Sequence, residues 1–203
     1  MRLHGGVYSG YTQKVRIALA EKGLTQGIPF VVSPPEDRSG RRVRNVLGLV
    51  PVLELDDGTF LPESTPIIEY LDALHPEPPL LPTDPLRRAR MHALDHYHDQ
   101  ALTPPIRRLW DAVLVGHADP DVIAAAREAV AAVFRHLDAH LVGPYLVGGF
   151  SIADVAFMAR LQVLPLVGAE IPPECSRARA WEHRLRARPS WSATGYPPLP
   201  RPG

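Results

Sequence analysis

Cysteine is almost missing from this sequence of 203 residues. The single thiol, Cys175, has no partner for an internal disulfide and no companions for a multi-cysteine metal site. A reducing compartment, the cytoplasm, is therefore the expected setting. Net charge is missing too, because 22 basic residues balance 22 acidic ones. With no broad field to gather polyanions, neither nucleic acid nor an anionic membrane is expected as a partner. Nowhere do about 18 consecutive apolar residues occur, as a membrane span requires. The start, Met1-Arg2-Leu3-His4-Gly5-Gly6, lacks the apolar stretch of a secretion signal. Lysine is scarce: Lys14 and Lys22 are the only two, so 20 of the 22 basic residues are arginine.

Proline, by contrast, reaches 23 residues, and its placement divides the chain. Residues 2–7 read as a short strand ending in a glycine-bearing loop. Val15, Ile17, Ala18 and Leu19 then mark a helix closed by Gly23. Residues 28–32 resemble a second strand, and the polar stretch 33–42 reads as an exposed loop with one helical turn. Val52-Leu53-Glu54-Leu55 and Thr59-Phe60-Leu61 alternate around Asp56-Asp57-Gly58, the pattern of a hairpin. Ser64 is placed to cap a helix whose stripe is Ile67, Ile68, Leu71 and Leu74, stopping at His75-Pro76. Residues 76–86 hold five prolines and form a stiff linker. Beyond residue 87 only helical periodicity appears. The expected division is thus 1–75, 76–86 and 87–203. The tail from Arg188, with Pro189, Pro197, Pro198, Pro200, Pro202, Trp191 and Tyr196, is expected to lie as a strap over the helical region.

Three places in the first 75 residues carry candidate chemistry. Tyr8-Ser9-Gly10-Tyr11 joins the first strand to the first helix, where amide N–H groups and the helix dipole favour an anion such as a thiolate. A hydroxyl there either donates to sulfur or simply caps the helix. Pro51 stands directly before a strand, as a plain strand-leading residue or in a cis turn that exposes neighbouring backbone to a peptide. Glu63-Ser64 opens a helix, either as an ordinary start or as a pocket for the α-amino acid end of a ligand. In the second part, His92 and His96 share a helical face with Asp95 and Asp99 nearby, but no third-ligand pattern accompanies them, and no metal is expected. Trp110 with Arg107-Arg108 fits either a substrate pocket or ordinary helix packing.

Together these segments resemble the glutathione transferase family over nearly the whole chain. Residues 8–24, from Tyr8-Ser9-Gly10-Tyr11 to Gly23-Leu24, resemble its first loop and helix. Val50-Pro51-Val52-Leu53 resembles its cis-proline turn, and Glu63-Ser64-Thr65-Pro66-Ile67-Ile68 its glutathione-gripping helix start. Gly149-Phe150-Ser151-Ile152-Ala153-Asp154-Val155-Ala156 resembles its capped buried helix, with Ser151 as cap, Asp154 reaching back and Phe150 stapled onto Val155.

The resemblance implies an α/β thioredoxin-like N-terminal domain, an all-α C-terminal domain supplying an acceptor cleft, and a homodimer. It implies glutathione as co-substrate and an electrophilic hydrophobic small molecule as partner, in conjugation, thiol-assisted isomerisation or dehalogenation, with detoxification as one role. Ser9 matches the sulfur-activating residue of serine-type members, and Tyr11 and Tyr8 are the other hydroxyls at that turn. Pro51 and Val52 correspond to the cysteinyl contact, Glu63 and Ser64 to the γ-glutamyl grip. Three departures stand out. Gly10 replaces a frequent proline, Val46 another, and Leu49 stands where relatives often carry Lys, Arg or Gln. Arg41 or Arg42 is the substitute for the lost contact to the glycyl carboxylate. These departures leave a second expectation: a catalytically silent binding or interaction protein of this fold, or a pathway-specific enzyme using another thiol or none.

Overall fold

The computed structural model describes residues 1–115, 119–141 and 143–197. They form two units. The first comprises Met1–Leu81 with Pro189–Tyr196, and the second includes Pro82–Arg188. The division falls inside the proline-rich stretch 76–86.

In the first unit, β1 (Arg2–Gly5), α1 (Gly10–Glu21) and β2 (Phe30–Val32) make a βαβ start. α2 (Arg38–Arg44), β3 (Val52–Glu54), β4 (Phe60–Pro62) and α3 (Ser64–Leu74) follow. The sheet order is β2-β1-β3-β4, with β1 parallel to β2 and antiparallel to β3, and β3 antiparallel to β4. This is a thioredoxin-like arrangement. Leu3 and Leu53 are Cα partners on the two central strands and are fully buried, as are Val15, Ile67, Ile68 and Leu71 of the helices. Gly5 is needed where β1 ends, because a Cβ there would sit 2.2 Å from Cγ2 of Thr12. α1 closes with the reciprocal pair Gly23 N–H to Ala20 O and Leu24 N–H to Leu19 O, and Gly23 takes the left-handed conformation this requires.

The stretch 33–42 contains more helix than its polarity suggests. Asp37 caps α2 by accepting the Gly40 amide at 3.0 Å, and helix continues to Arg44. Ser64 is not the cap of α3: Glu63 occupies that position and Ser64 is the first helical residue.

Both lysines lie on or at the end of α1 and are buried. Lys14 Nζ donates to Thr65 Oγ1 of α3 at 2.7 Å. Lys22 Nζ pairs with Asp72 and donates to the carbonyls of His75 and Pro78, at 2.8 and 2.9 Å. Asp72 also accepts the Leu80 amide at 2.9 Å. The first prolines of the linker are thereby fastened to this unit rather than left as free chain.

The tail departs from the expected strap over the helical region. Residues 189–196 belong to the first unit, beginning with a short helix, α9 (Pro189–Ala193). Ser190 Oγ donates to Glu21, and Gln13 donates to the Thr194 carbonyl. Hydrogen-bonding partners on α1, invisible in tail composition, decide this placement. Pro198, Pro200 and Pro202 lie outside the described residues.

The second unit is helical: α4 (Pro85–Tyr97), a π-turn at His98–Leu102, α5 (Thr103–Val115), α6 (Pro120–His140), α7 (Ile152–Leu161), a 3-10 turn at Leu164–Val167 and α8 (Ser176–Arg186). Every residue of α7 is buried, and Phe157 meets Trp181 and His98 edge-on, at ring-centroid distances of 5.8 and 5.2 Å. Asp154, 0% exposed, holds this helix start. Its Oδ1 accepts Trp181 Nε1 at 2.9 Å and the Leu146 amide at 3.1 Å, while Oδ2 accepts the Ser151 amide and hydroxyl, both at 3.0 Å. Phe150, the expected staple, meets the Tyr145 ring and carries the Arg188 guanidinium 3.7 Å from its centroid.

Burial pushes the Asp154 carboxyl up to about 6, against the pull of its four donors. A carboxyl raised in the folded state binds its proton there more tightly than in the unfolded chain. Its contribution is therefore complete below the ordinary value of 3.8 and is lost as pH rises through 6. Relative to Asp154→Asn, the native protein should lose on the order of 3 kcal/mol of stability between about pH 4 and 6.5. Denaturant midpoints of both proteins across that range check this, and a pH-independent difference contradicts it.

Candidate functional site

The candidate residues of the first unit converge at one edge of the sheet, where β1 ends, β3 begins and β4 ends. The register produces this. His4 and Pro62 both oppose Val52, so Gly6, Val50–Pro51 and Glu63–Ser64 all continue from the same row. A Cβ built on Gly6 would lie 3.4 Å from the Ser9 Cβ and 3.7 Å from Val50 Cγ2, so the Ser9 and Val50 side chains both crowd the one point beside Gly6 that a side chain would occupy.

Ser9 caps α1: its Oγ accepts the Thr12 amide at 3.2 Å, with backbone extended at φ −77° and ψ 118°. A hydroxyl that accepts this bond keeps its proton for donation, so the capping role and a sulfur-directed bond are compatible. Tyr8 precedes the cap and Tyr11 is the second residue of α1; both are half-buried. The only cysteine cannot take over the role. Cys175 is buried, and burial, followed by the charges of Asp138 and Glu174, pushes its thiol upward.

The Val50–Pro51 peptide bond is cis. Val52, the residue carried over as the backbone contact, has neighbours on both sides, His4 of β1 and Pro62 of β4, and is 1% exposed. A central strand residue has its ladder positions occupied, so Val52 is not open to a peptide. Val50 is. It lies outside the strands, and among the described residues its amide and carbonyl form no hydrogen bond. The sequence signal for it is its place before Pro51, which biases a residue to extended backbone.

Glu63 has φ 74° and ψ 127° and is the only non-glycine residue with positive φ among those described. That conformation costs about 1–3 kcal/mol and is tolerated where surrounding structure or function demands it. It turns the chain from β4 into α3, leaving the Glu63 side chain exposed and Ser64 buried at the helix start. Among the described residues the Ser64 hydroxyl has no hydrogen-bond partner. The Lys14–Thr65 bond ties this helix start to α1.

Of the two arginine candidates, Arg41 is committed elsewhere: its Nη2 donates to the Ser33 carbonyl. Arg44 is likewise held, by Ser33 Oγ at 3.2 Å and Asp37 at 2.8 Å, and its hydrogen bond keeps the Asp37 carboxyl below the usual range. Arg42 is exposed and makes no side-chain hydrogen bond or ion pair among the described residues. Its Cγ lies 3.5 Å from a Cβ position on Gly48, beside the turn that leads to Val50. Leu49 and Val46 next to it are exposed at 55% and 85%.

In the second unit, His92 and His96 are exposed, whereas Asp95 and His98 are buried, so the histidine-rich stretch is split between two faces. No group of three or more His, Cys, Asp or Glu residues suited to a metal occurs among the described residues. Arg107 pairs with Asp111 one turn on, at 2.9 Å. No helix among the described residues is long and apolar enough to cross a membrane.

A thioredoxin-like sheet with a hydroxyl-capped first helix, a cis-proline turn and a strained helix start, followed by a helical unit, defines a glutathione transferase fold. Residues 3–79 match the family model of the glutathione S-transferase N-terminal domain. Over 198 residues the chain is 33% identical to glutathione S-transferase 2 of Saccharomyces cerevisiae, covering 89% of this chain and 83% of that protein. A maleylacetoacetate isomerase of Pseudomonas aeruginosa is 44% identical over 94 residues, 44% of each chain. The crystal structure of a glutathione S-transferase from Methylobacillus flagellatus, solved with GSH bound, superposes with a TM-score of 0.78 at 26% identity, covering 96% of this chain and 98% of that one. The chain belongs to the glutathione S-transferase family.

Proposed function

We propose that this protein is an enzyme that binds glutathione at the sheet edge of its first unit and activates the thiol, through Ser9, for attack on an electrophilic, hydrophobic small molecule. The observation that carries the reading is that Ser9, the cap of α1, and Val50, whose backbone groups form no hydrogen bond among the described residues, both lie beside Gly6. A cysteinyl residue pairing with Val50 in strand fashion has its sulfur within reach of the α1 N-terminus. There the Ser9 O–H donates to sulfur and the helix dipole favours the thiolate. Lowering a thiol from ~8.5 toward neutrality needs only ~1.4 kcal/mol per unit, within the range of one charge-assisted hydrogen bond and a helix terminus.

The remaining contacts follow from the same geometry. Glu63 and Ser64 hold the γ-glutamyl end, which explains why a strained residue is retained at position 63. Arg42, rather than Arg41, is the cation available for the glycyl carboxylate, since Arg41 is spent on Ser33. Glu63→Ala should raise the glutathione dissociation constant by ~10-fold or more through a lost charge-assisted contact. Calorimetry that finds unchanged affinity removes this pocket from the reading.

Similarity to both a transferase and an isomerase supports a shared first step, formation of a thiolate, with conjugation as the leading outcome and thiol-assisted isomerisation of a maleyl double bond as the second. The buried single cysteine and the family membership support a cytoplasmic homodimer. The deciding experiment is calorimetric titration of glutathione and of S-hexylglutathione into the purified protein. Micromolar-to-millimolar binding, tighter for the hexyl derivative, is expected, followed by turnover of a chloronitrobenzene or of maleylacetoacetate. Absence of binding by either ligand overturns the reading and points to another thiol or a non-enzymatic role.

A further inference from the structure

The second unit contains a cavity of about 200 Å³, remote in sequence from the candidate site and lined by Arg87 and Arg90 of α4, by Gly143 and by residues 145–148. We propose that it is a ligand site for a small organic anion, one carrying a carboxylate or phosphate head on a compact apolar body.

The two arginines set the charge. Three residues apart on α4, they stand on one edge of the helix, and both side chains are exposed. Among the described residues neither guanidinium makes an ion pair or hydrogen bond. Arg107, Arg135 and Arg186 of the same unit are neutralised, by Asp111, by Glu128 with Glu174 and by Glu182, whereas exposed Arg108, Arg127 and Arg177 also lack an ion pair among the described residues; what sets Arg87 and Arg90 apart is that they stand together on the wall of a cavity. The carboxylates nearest this cavity in sequence are already used. Asp84 caps α4 by accepting the Arg87 amide at 2.8 Å, and Asp154 is sealed beneath the loop on four donors. Arg184 donates to the Pro144 carbonyl at 2.8 Å and Arg188 to the Tyr145 hydroxyl at 2.9 Å, so the loop's other charged neighbours are also cations. Arg87 and Arg90 thus line the cavity while Arg184 and Arg188 are bonded to the same loop.

The loop sets the shape. The Leu146 amide is bound to Asp154 and the Gly148 amide to the Tyr145 carbonyl at 3.2 Å, which fixes the wall. Gly148 has φ +96°, and a Cβ there would lie 3.5 Å from Arg87 Nη1, so the guanidinium sits against the loop. Tyr145, Leu146 and Val147 make the wall chiefly apolar. The volume equals about seven waters of liquid, the size of a single ring or short chain rather than a peptide or nucleotide. A planar guanidinium pair selects carboxylate or phosphate oxygens, and the apolar wall selects against a bare inorganic ion.

The test titrates benzoate, benzyl alcohol and inorganic phosphate into the whole protein, followed by nuclear magnetic resonance of the arginine Nε–Hε groups. Benzoate is expected to bind saturably below about 10 mM and to shift Arg87 and Arg90. Benzyl alcohol and phosphate should each bind at least ~10-fold more weakly, one for want of charge and the other for want of an apolar body. Arg87→Gln with Arg90→Gln should weaken benzoate ~10-fold or more without lowering the melting temperature, because both side chains are exposed and unpaired. Benzoate binding of equal strength in that double variant overturns the proposal, as does failure to saturate. Phosphate binding as tightly as benzoate overturns the assigned ligand class.

Discussion

Asp154→Ala is expected to destabilise the protein by about 3–5 kcal/mol at neutral pH, the largest loss from any single change considered. The substitution leaves the Leu146 and Ser151 amides and Trp181 Nε1 without their acceptor in a region with no solvent access. Each orphaned buried donor costs about 1–3 kcal/mol. Removal of the carboxylate also releases the start of α7, whose ten residues are all buried. Asp154→Asn keeps one acceptor oxygen and should lose less. Denaturant unfolding followed by tryptophan fluorescence checks the ordering, and an Ala variant within about 1 kcal/mol of the native protein refutes it.

Ser9→Ala is expected to cost roughly 10²-fold or more in turnover while glutathione affinity changes little, because the lost bond favours the thiolate over the thiol. Ser9 also caps α1, so the same change removes about 1 kcal/mol of helix stability. Ser9→Thr is the control for both effects, since it restores the cap and the hydroxyl together. The pH–rate profile is the decisive readout. Loss of thiolate stabilisation moves the apparent pKa of the bound thiol toward ~8.5, which loss of a cap alone does not do. If Ser9→Ala retains full activity, Tyr11→Phe and Tyr8→Phe become the next variants, and the hydroxyl role passes to whichever loses the rate.

The main elements were readable because each is signalled by neighbours in sequence. Asp57-Gly58 between alternating strands, Gly23 after an apolar helical stripe, and Ser151 with Asp154 three residues on are local rules of turn and cap chemistry. The candidate site was only partly legible. Ser9, Pro51, Glu63 and Ser64 stand out in the sequence as separate segments, but the sequence does not choose between Val50 and Val52 as the open backbone. Which residue keeps an open backbone depends on strands flanking it on both sides, and Val52 has β1 and β4 there. The choice between Arg41 and Arg42 likewise turned on the Ser33 carbonyl, a partner that no spacing rule supplies.

By itself, then, the sequence determined the order of strands and helices, the proline-rich division of the chain and the family. These rest on periodicity, turn chemistry and matched motifs carried over short spans. Only the tertiary structure decided that both lysines are buried links from α1 to α3, that residues 189–196 return to the first unit, and that Arg87 and Arg90 border a cavity with Gly143 and residues 145–148. The reason is common to all three. A buried charge, a docked tail and an unpaired guanidinium are each defined by which distant groups satisfy them or fail to, and pairing across tens to hundreds of residues is set by packing rather than by local pattern.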